Sequence, residues 1–348
     1  MSSHRFSGRQ VVVTGGASFI GSHLVDRLLE EGASVTVIDN FSSGLRSNLS
    51  EDSVKIVEMD LAGDPSSVES AFRESKADFV FHLAAVHGGR GFIETFPHLM
   101  LVNLRIDNNV FTACQASGVE MVVHASSACA YPVSLQEDVK NVGWLEESQA
   151  NFDVQGCAFP DGTYGWMKLI GELQLSTLCS DSGMHGRSAR IFTAFGPREN
   201  ESHAAIALIA KSLLRLDPFP VWGSGDQTRN FTFVADTVEG LMRLGLDGRS
   251  VAFEAVNVGS NVHTRVLDFT KLIHEVVGWA PTNFDFQLDK PVGVAARAAD
   301  NTKILRDYGW SPSTDLRSAL EETCSWYESK PERPNTLEEL NALLFSRG

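Results

Sequence analysis

Five residues of this 348-residue chain have side chains that could combine redox and proton-transfer chemistry: Ser127, Cys129, Tyr164, Lys168 and His203. The first two lie in one short segment, and Tyr164 and Lys168 are about one helical turn apart. A hydroxyl, a tyrosine and a lysine in this pattern are placed where a nicotinamide could exchange a hydride with an alcohol. The added thiol and imidazole indicate chemistry beyond redox.

The first two hundred residues contain the elements that must position these side chains. Residues 11–14 form an apolar run typical of a buried strand, residues 20–29 repeat apolar side chains at helical spacing, and residues 35–38 begin a second strand. Further strands are predicted at residues 79–83, 119–123 and 189–192. This alternation predicts an α/β fold with a Rossmann-type, doubly wound parallel sheet.

The remainder of the chain has the pattern of a smaller lobe interleaved with returns to the sheet. Beyond residue 197 we predict helices at 204–216, 266–277 and 301–308, and strands at 221–222, 255–258 and 284–286. We expect an NAD-binding Rossmann domain over residues 1–195, with returns near 229–258. Residues 196–348 are expected to form mainly a smaller α/β substrate-binding lobe.

A glycine-rich turn at residues 14–21 lies between the first strand and the first helix, where a dinucleotide pyrophosphate can bind. Gly15 permits a tight turn, Gly21 permits close helix packing, and the helix offers N–H groups to the phosphates. Ser18 replaces the middle glycine of the usual pattern, and its small size should preserve binding. Asp39 ends the second strand, where a carboxylate can bind both adenosine ribose hydroxyls and repel a 2′-phosphate. The predicted cofactor is therefore NAD rather than NADP.

Other cofactor contacts are expected along the same edge of the sheet. Asp60 could accept a hydrogen bond from the adenine amine, or it could only cap the end of a strand. The small residues Ala84 and Ala85 would let the cofactor lie close to the backbone. The predicted cofactor contacts are Gly15, Ser18, Phe19, Ile20, Gly21, Asp39, Asn40, Asp60, Leu61, Leu83, Ala84, Ala85, Tyr164 and Lys168.

The composition argues against several other classes of function. The formal net charge of -15 disfavours nucleic-acid binding, because phosphates require clustered lysine and arginine. Five cysteines without a Cys-x-x-Cys spacing indicate neither a disulfide framework nor a zinc site, so no metal is predicted. No apolar run approaches membrane-spanning length and no signal core is evident, so we expect a cytoplasmic protein without membrane contact.

Three further segments, at residues 82–93, 126–132 and 222–233, carry a resemblance to a known family. Together with the features above, they resemble the extended short-chain dehydrogenase/reductase family of nucleotide-sugar enzymes, from about residue 10 to about residue 328. Within it they are most similar to the GDP-mannose 3,5-epimerases and next to the GDP-L-fucose synthases.

The resemblance implies a role for each of the five residues. Tyr164 would take the proton of a sugar hydroxyl as hydride leaves for NAD, while Lys168 lowers the tyrosine pKa and binds the nicotinamide ribose. Ser127 would bond the reacting oxygen, and Cys129 matches a catalytic cysteine of both groups. His203 follows a serine, as the second acid/base of the fucose synthases does, where the 3,5-epimerases carry lysine. His203 could instead be only a surface histidine at the start of a helix, or His87 could act as the second acid/base in its place.

The chemistry implied is epimerisation through a transient ketone. Once C4 is oxidised, the hydrogens at C3 and C5 are acidic, and a thiolate and an imidazole on opposite faces can invert a centre. Returning the hydride regenerates NAD. The predicted function is a nucleotide-sugar epimerase acting at C3 and/or C5. The alternatives are an epimerase/reductase using NAD(P)H on a 4-keto sugar, a simple 4-epimerase, a 5,6-dehydratase and, most distantly, a non-catalytic dinucleotide sensor.

The same resemblance implies how a nucleotide-diphosphate sugar would be held. Gly88 and Gly89 offer bare backbone beside the sugar, with Arg90 adjacent, and Arg229 and Arg297 match positions that hold the diphosphate. Ser127 and Cys129 complete the predicted substrate contacts. Two departures are Thr193, where asparagine is usual, and a long segment at 133–161 that could form a substrate-facing lid. A homodimer is also predicted.

Overall fold

The computed structural model describes residues 5–140, 143–151 and 159–345. Its strands are β1 (Gln10–Thr14), β2 (Ser34–Asp39), β3 (Lys55–Glu58), β4 (Phe79–His82), β5 (Met121–Ser127), β6 (His185–Ile191), β7 (Ala194–Phe195), β8 (Phe219–Trp222), β9 (Thr228–Arg229), β10 (Thr232–Phe233), β11 (Phe253–Val258), β12 (Thr264–Arg265) and β13 (Phe284–Gln287). Its α-helices are α1 (Phe19–Glu30), α2 (Pro65–Ser75), α3 (Arg90–Thr95), α4 (Asn103–Ser117), α5 (Gly162–Asp181), α6 (Ala204–Leu213), α7 (Val234–Gly245), α8 (Val266–Val277), α9 (Thr302–Tyr308), α10 (Leu316–Ser329) and α11 (Leu337–Leu344).

Seven strands form one sheet in the order β11-β6-β5-β4-β1-β2-β3. Every pairing within it is parallel. The strand order reverses between β1 and β4, and the crevice at such a switch point is where open α/β sheets bind ligands. The predicted Rossmann-type fold is confirmed.

Consecutive residues of β1 pack into two different cores, which explains why the strand is apolar throughout. Val11 and Val13 belong to one buried cluster and Val12 to the other, on the opposite face of the sheet. Helix α1 joins the first cluster through Leu24 and Leu28. Because both faces of the sheet are covered, the ends of its strands are the part left open to ligands.

The rest of the chain forms short strand pairs and helices beside this sheet. Two-stranded pairs form between β7 and β10, β9 and β12, and β8 and β13. Strand β11 instead enters the large sheet beside β6, as a return from the second half of the chain. No helix within the described ranges is both long and apolar enough to cross a membrane.

Some element boundaries differ from the sequence-based predictions for identifiable reasons. Strand β5 extends to Ser127 because its polar residues find partners, as His124 Nδ1 lies 3.1 Å from Ser188 Oγ on β6. The helix predicted to reach residue 216 ends at Leu213, and Arg215 has a positive φ of 51°. Helices α10 and α11 were not predicted.

Candidate active site

The glycine-rich turn has the geometry of a phosphate cradle. Gly15 has a φ of 68°, and Ser18 Oγ donates to its carbonyl at 2.5 Å. A side chain at Gly21 would place a Cβ 2.1 Å from the Gly15 oxygen, so only glycine lets α1 approach this closely. The first turn of α1, at residues 19–22, is uncharged, so an anion meets no carboxylate there.

Asp39 connects this turn to the end of β2. Its two carboxylate oxygens accept from the backbone N–H of Ala17 at 3.0 Å and of Phe41 at 2.8 Å. Each oxygen has a further lone pair for a ribose hydroxyl. Asp60 similarly accepts from the Ala62 N–H at 2.9 Å, which supports the capping role without excluding an adenine contact.

Two adjoining clefts contain most of the predicted site residues. The smaller, of about 220 Å³, is lined by Gly15, Ser18, Asp39, Asn40, Asp60, Leu61, Leu83, Ala84 and Ala85 among others. The larger, of about 570 Å³, is lined by all five candidate catalytic residues together with Phe19, Ile20, Gly88, Gly89, Arg90 and Arg297. Ser18, Leu83, Ala85 and His87 line both clefts, so they form one elongated space. Of the described residues predicted to form the site, Gly21 and Arg229 line neither.

Tyr164 and Lys168 both lie on the buried face of α5, next to the end of β5. Lys168 Nζ donates to the Ala125 carbonyl at 2.7 Å and lies 5.7 Å from the centre of the Tyr164 ring. Burial raises the pKa of Tyr164, and the nearby Cys129 and Asp107 raise it further. We expected Lys168 to lower this pKa, but in this structure the loss of solvent dominates.

A buried polar network missed by the sequence analysis lies behind Lys168. His82 is 2.7 Å from Thr14 Oγ1 through Nδ1 and 3.0 Å from Asp107 Oδ1 through Nε2. Burial lowers the pKa of Lys168, and Asp107 is the strongest influence that opposes this change. The network therefore places a compensating negative charge near Lys168.

Ser127 and Cys129 lie at the turn that follows β5. The Cys129 N–H donates to Ser127 Oγ at 3.1 Å, which leaves the serine O–H available to a ligand. Arg297 Nη1 lies 3.3 Å from Cys129 Sγ, and the same guanidinium binds Gln136 Oε1 at 2.6 Å and Asp161 Oδ2 at 2.9 Å. Arg297, which is predicted to bind the diphosphate, is thus in contact with the candidate catalytic thiol.

Asp161 lies between two of the three arginines at this end of the cleft. Arg90 binds it through both terminal nitrogens, at 3.0 and 2.6 Å, and Arg297 binds it from another direction. Burial would raise the pKa of Asp161, but these two guanidinium groups lower it well below its usual value. Arg229 binds the carbonyls of Thr228 and Val292, each at 2.7 Å. Burial, then Arg297 and Arg90, lowers the Arg229 pKa to about 9.

His203 precedes the first residue of α6 and faces the same cleft. Its Nδ1 lies 2.8 Å from Glu199 Oε1, whereas its buried Nε2 has no hydrogen-bond partner among the described residues. The His87 ring is 5.9 Å away. A Cβ at Gly89 would lie 1.7 Å from the Ser202 carbonyl oxygen, so Gly89 also lets the substrate loop pack against this segment.

Among the other cysteines that the structure describes, none has an arginine in contact with its sulfur. Cys114, Cys179 and Cys324 are buried and free, and burial raises the pKa of Cys179 to about 11. Cys157 lies outside the described residues, as do residues 141–142 and 152–158 of the predicted lid. Thr193 lines the larger cleft. The residues that the structure describes contain no cluster suited to a metal ion.

The joined clefts fit an NAD molecule. The smaller cleft offers Asp39 to a ribose, the turn at Gly15 offers close backbone to a pyrophosphate, and the larger cleft brings Lys168 and Tyr164 to the nicotinamide end. A substrate would bind beyond them, beside Cys129 and His203.

Comparisons with known proteins agree with this geometry. A model of the NAD dependent epimerase/dehydratase family matches residues 11–259. GDP-mannose 3,5-epimerase 1 of Oryza sativa subsp. indica is 30% identical over 334 residues, covering 94% of this chain and 84% of the relative. UDP-glucose 4-epimerase of Mycolicibacterium smegmatis is 28% identical over 334 residues, covering 92% of this chain and 99% of the relative.

A solved structure extends the comparison to the fold and the cofactor. UDP-glucose 4-epimerase of Thermus thermophilus, in complex with NAD, superposes with a TM-score of 0.78 at 27% identity. The match covers 92% of this chain and 99% of that structure. The chain therefore belongs to the NAD dependent epimerase/dehydratase family of nucleotide-sugar enzymes, and NAD is its cofactor.

Proposed function

We propose that this protein is a nucleotide-sugar epimerase that inverts C3 and/or C5 of its sugar through a transient 4-keto intermediate. The observation that carries the proposal is the presence of Cys129 and His203 in the cleft that also contains Ser127, Tyr164 and Lys168. Simple oxidation and reduction at C4 needs only the last three. A thiol and an imidazole in the same space are suited to moving protons at carbons beside the ketone.

The first step is oxidation at C4. Bound NAD supplies a reversible hydride acceptor and a positive charge that favours the phenolate form of Tyr164. Tyr164 takes the hydroxyl proton, Ser127 donates to the same oxygen, and Lys168 orients the cofactor ribose. The nearby Asp107 carboxylate favours the charged form of Lys168.

The second step is inversion at a carbon beside the ketone. Cys129 and His203 act from opposite faces, one removing the proton and the other returning one. The Arg297 guanidinium lies 3.3 Å from Cys129 Sγ, so a cation is next to the proposed proton-transfer group. Reversal of the first step, in which Tyr164 would return the proton to the C4 oxygen, would then restore the hydroxyl with no net consumption of NAD.

The diphosphate is assigned to Arg229 and Arg297, with Arg90, Gly88 and Gly89 beside the sugar. The support for this assignment is that Arg90 and Arg297 share one carboxylate, Asp161, and that Arg229 is close enough for both of their charges to lower its pKa, so the group has a net positive charge. In this proposal residues 1–195, with returns near 229–258, bind NAD, and residues 196–348 mainly bind the substrate.

The test is incubation in deuterated water with GDP-, UDP-, ADP- and dTDP-sugars, read by mass spectrometry and NMR. We expect deuterium at C3 or C5 of the sugar with no net consumption of NAD. A Cys129→Ala variant should lose at least about 10²-fold in this incorporation, as general acid–base groups generally contribute that much. Turnover without label at either carbon would contradict the proposal.

A simple 4-epimerase is the second candidate, supported by the similarity to UDP-glucose 4-epimerase of M. smegmatis. Full turnover by Cys129→Ala would favour it. Stoichiometric loss of NAD(P)H absorbance with a 4-keto sugar would instead favour an epimerase/reductase.

We also propose a cytoplasmic homodimer. Leu99, Leu101 and Leu173 are 41%, 51% and 45% exposed, on elements that pack against one another around α5. Leu99 and Leu101 lie in the segment Pro97–Val102, which packs against α5, the helix of Leu173, and exposed apolar side chains on adjoining elements supply the kind of surface that an interface buries. The free state of Cys114, Cys179 and Cys324 is consistent with a reducing compartment.

A further inference from the structure

Glu199 is a buried carboxylate whose position suggests that it serves His203. It is 2% exposed, and its Oε1 lies 2.8 Å from His203 Nδ1. Its Oε2 is buried and has no hydrogen-bond partner among the described residues. Burying a carboxylate with one oxygen that makes no hydrogen bond lowers the stability of the folded protein. A role of Glu199 in the site would compensate for this cost.

The contact selects one tautomer of the imidazole. An ionised carboxylate can only accept a hydrogen bond, so beside ionised Glu199 the proton is on Nδ1, and the buried, unpartnered Nε2 keeps its lone pair. In this form His203 is ready to take a proton. Once it has done so, the Glu199 charge stabilises the resulting imidazolium, as the carboxylate of a catalytic triad does.

The location of His203 makes such a partner necessary. It directly precedes α6, whose N-terminal end carries a partial positive charge that disfavours an imidazolium. Burial raises the pKa of Glu199, and the bond to His203 is the strongest influence that lowers it. The hydrogen bond to His203 therefore offsets part of the cost of burying the Glu199 carboxylate.

We propose that Glu199 is a positioning residue that sets the tautomer of His203 and stabilises its protonated form during inversion of the sugar centre. This inference rests on the proposed function, because it assumes that His203 exchanges protons with the substrate. It assigns no role to Glu199 in oxidation at C4, where Tyr164, Lys168 and Ser127 act.

The experiment measures oxidation at C4 and inversion separately, in deuterated water. Each epimer of the substrate is used in turn, because the reacting hydrogen faces Cys129 in only one of them. Three quantities are measured: reduction of bound NAD, deuterium exchange without inversion, and inversion. Glu199→Gln should lower inversion at least about 10²-fold, while NAD reduction and exchange from the Cys129 face persist. Glu199→Asp should restore part of the inversion, because it keeps the negative charge.

Glu201→Gln is the matched control, since Glu201 is also buried in this segment but binds Tyr327 and Lys330 instead of His203. It should keep all three activities. Inversion at the wild-type rate in Glu199→Gln, or an equal loss in Glu201→Gln, would overturn the role of Glu199. An absence of exchange in the wild-type enzyme, or full inversion by His203→Ala, would instead refute the proposed function.

Discussion

At the scale of single residues, the environment of Cys129 decides its chemistry. The thiol lies within 3.3 Å of Arg297, and that guanidinium is fixed by Gln136 and Asp161. The buried thiols of Cys114, Cys179 and Cys324 share its residue type but have raised pKa values, each caused first by burial. All four of these thiols are buried, so the contact with Arg297, rather than burial, is what sets Cys129 apart.

Tyr164→Phe tests the first chemical step at the same scale. The variant keeps the ring that packs beside Lys168 but lacks the hydroxyl that exchanges the proton. We expect NAD binding to be retained and C4 oxidation to fall by about 10²- to 10⁴-fold. The measurement is transient absorbance of reduced cofactor after mixing with substrate, and a rate near that of the wild type would exclude Tyr164 as the acid/base.

At the scale of elements, Asp161 connects parts of the chain that are far apart in sequence. It directly precedes α5, and its partners are Arg90 at the start of α3 and Arg297 in the loop before α9. The carboxylate therefore fixes the start of the catalytic helix against the substrate side of the cleft. Removing it would leave two arginines facing each other across a partly buried space.

Asp161→Asn should lower the free energy of unfolding by about 3 kcal/mol near neutral pH, because it breaks a buried ion pair. The folded-state pKa of Asp161 is lowered, so its stabilising effect is complete above the unfolded value of about 4. The effect is lost as pH falls below that value toward the folded pKa. Denaturant titrations of both proteins from pH 7 to about pH 2 would check this, and a difference that stays constant below pH 4 would contradict it.

The elements also show what the sequence could and could not predict. Strands β1, β2 and β4 were predicted because their apolar runs are local, and the turn at Gly15 because its glycines are close in sequence. The extent of β5 was missed because polar residues such as His124 and Ser126 are typical of loops. In the structure they pair with Ser188 and Glu172, which are distant in sequence. Glu172, Asp161 and Asp107 act through long-range contacts, and single-sequence patterns do not encode such contacts.

At the scale of the whole molecule, the two clefts form one space across the strand-order reversal of the sheet. Gly15 and Asp39 lie at one end, and Cys129 and His203 lie at the other. In the proposed binding mode the cofactor reaches from Asp39, which would bind the adenosine ribose, to the end of the cleft beside Cys129 and His203. Binding of NAD at both ends should stabilise the entire fold.

A thermal shift assay tests this coupling and the cofactor preference together. NAD at 100 times its Kd should stabilise the protein by about 2.7 kcal/mol. NADP at the same concentration should give a smaller shift, because its 2′-phosphate meets the Asp39 carboxylate. Equal shifts for the two cofactors would contradict the assigned role of Asp39.

The contact between Arg297 and Cys129 has a consequence for protein engineering. The thiol comes from the turn after β5, whereas the cation that faces it comes from the final quarter of the chain, 168 positions later. A chimera that joins the first half of this enzyme to the second half of a relative would keep its dinucleotide turn. It would lose the matched partner of its thiol unless the donor also carried an arginine there. The two halves can therefore be exchanged at this contact only when the donor has an arginine at the position of Arg297, and a donor without it would cost the hybrid its reactivity before its cofactor binding.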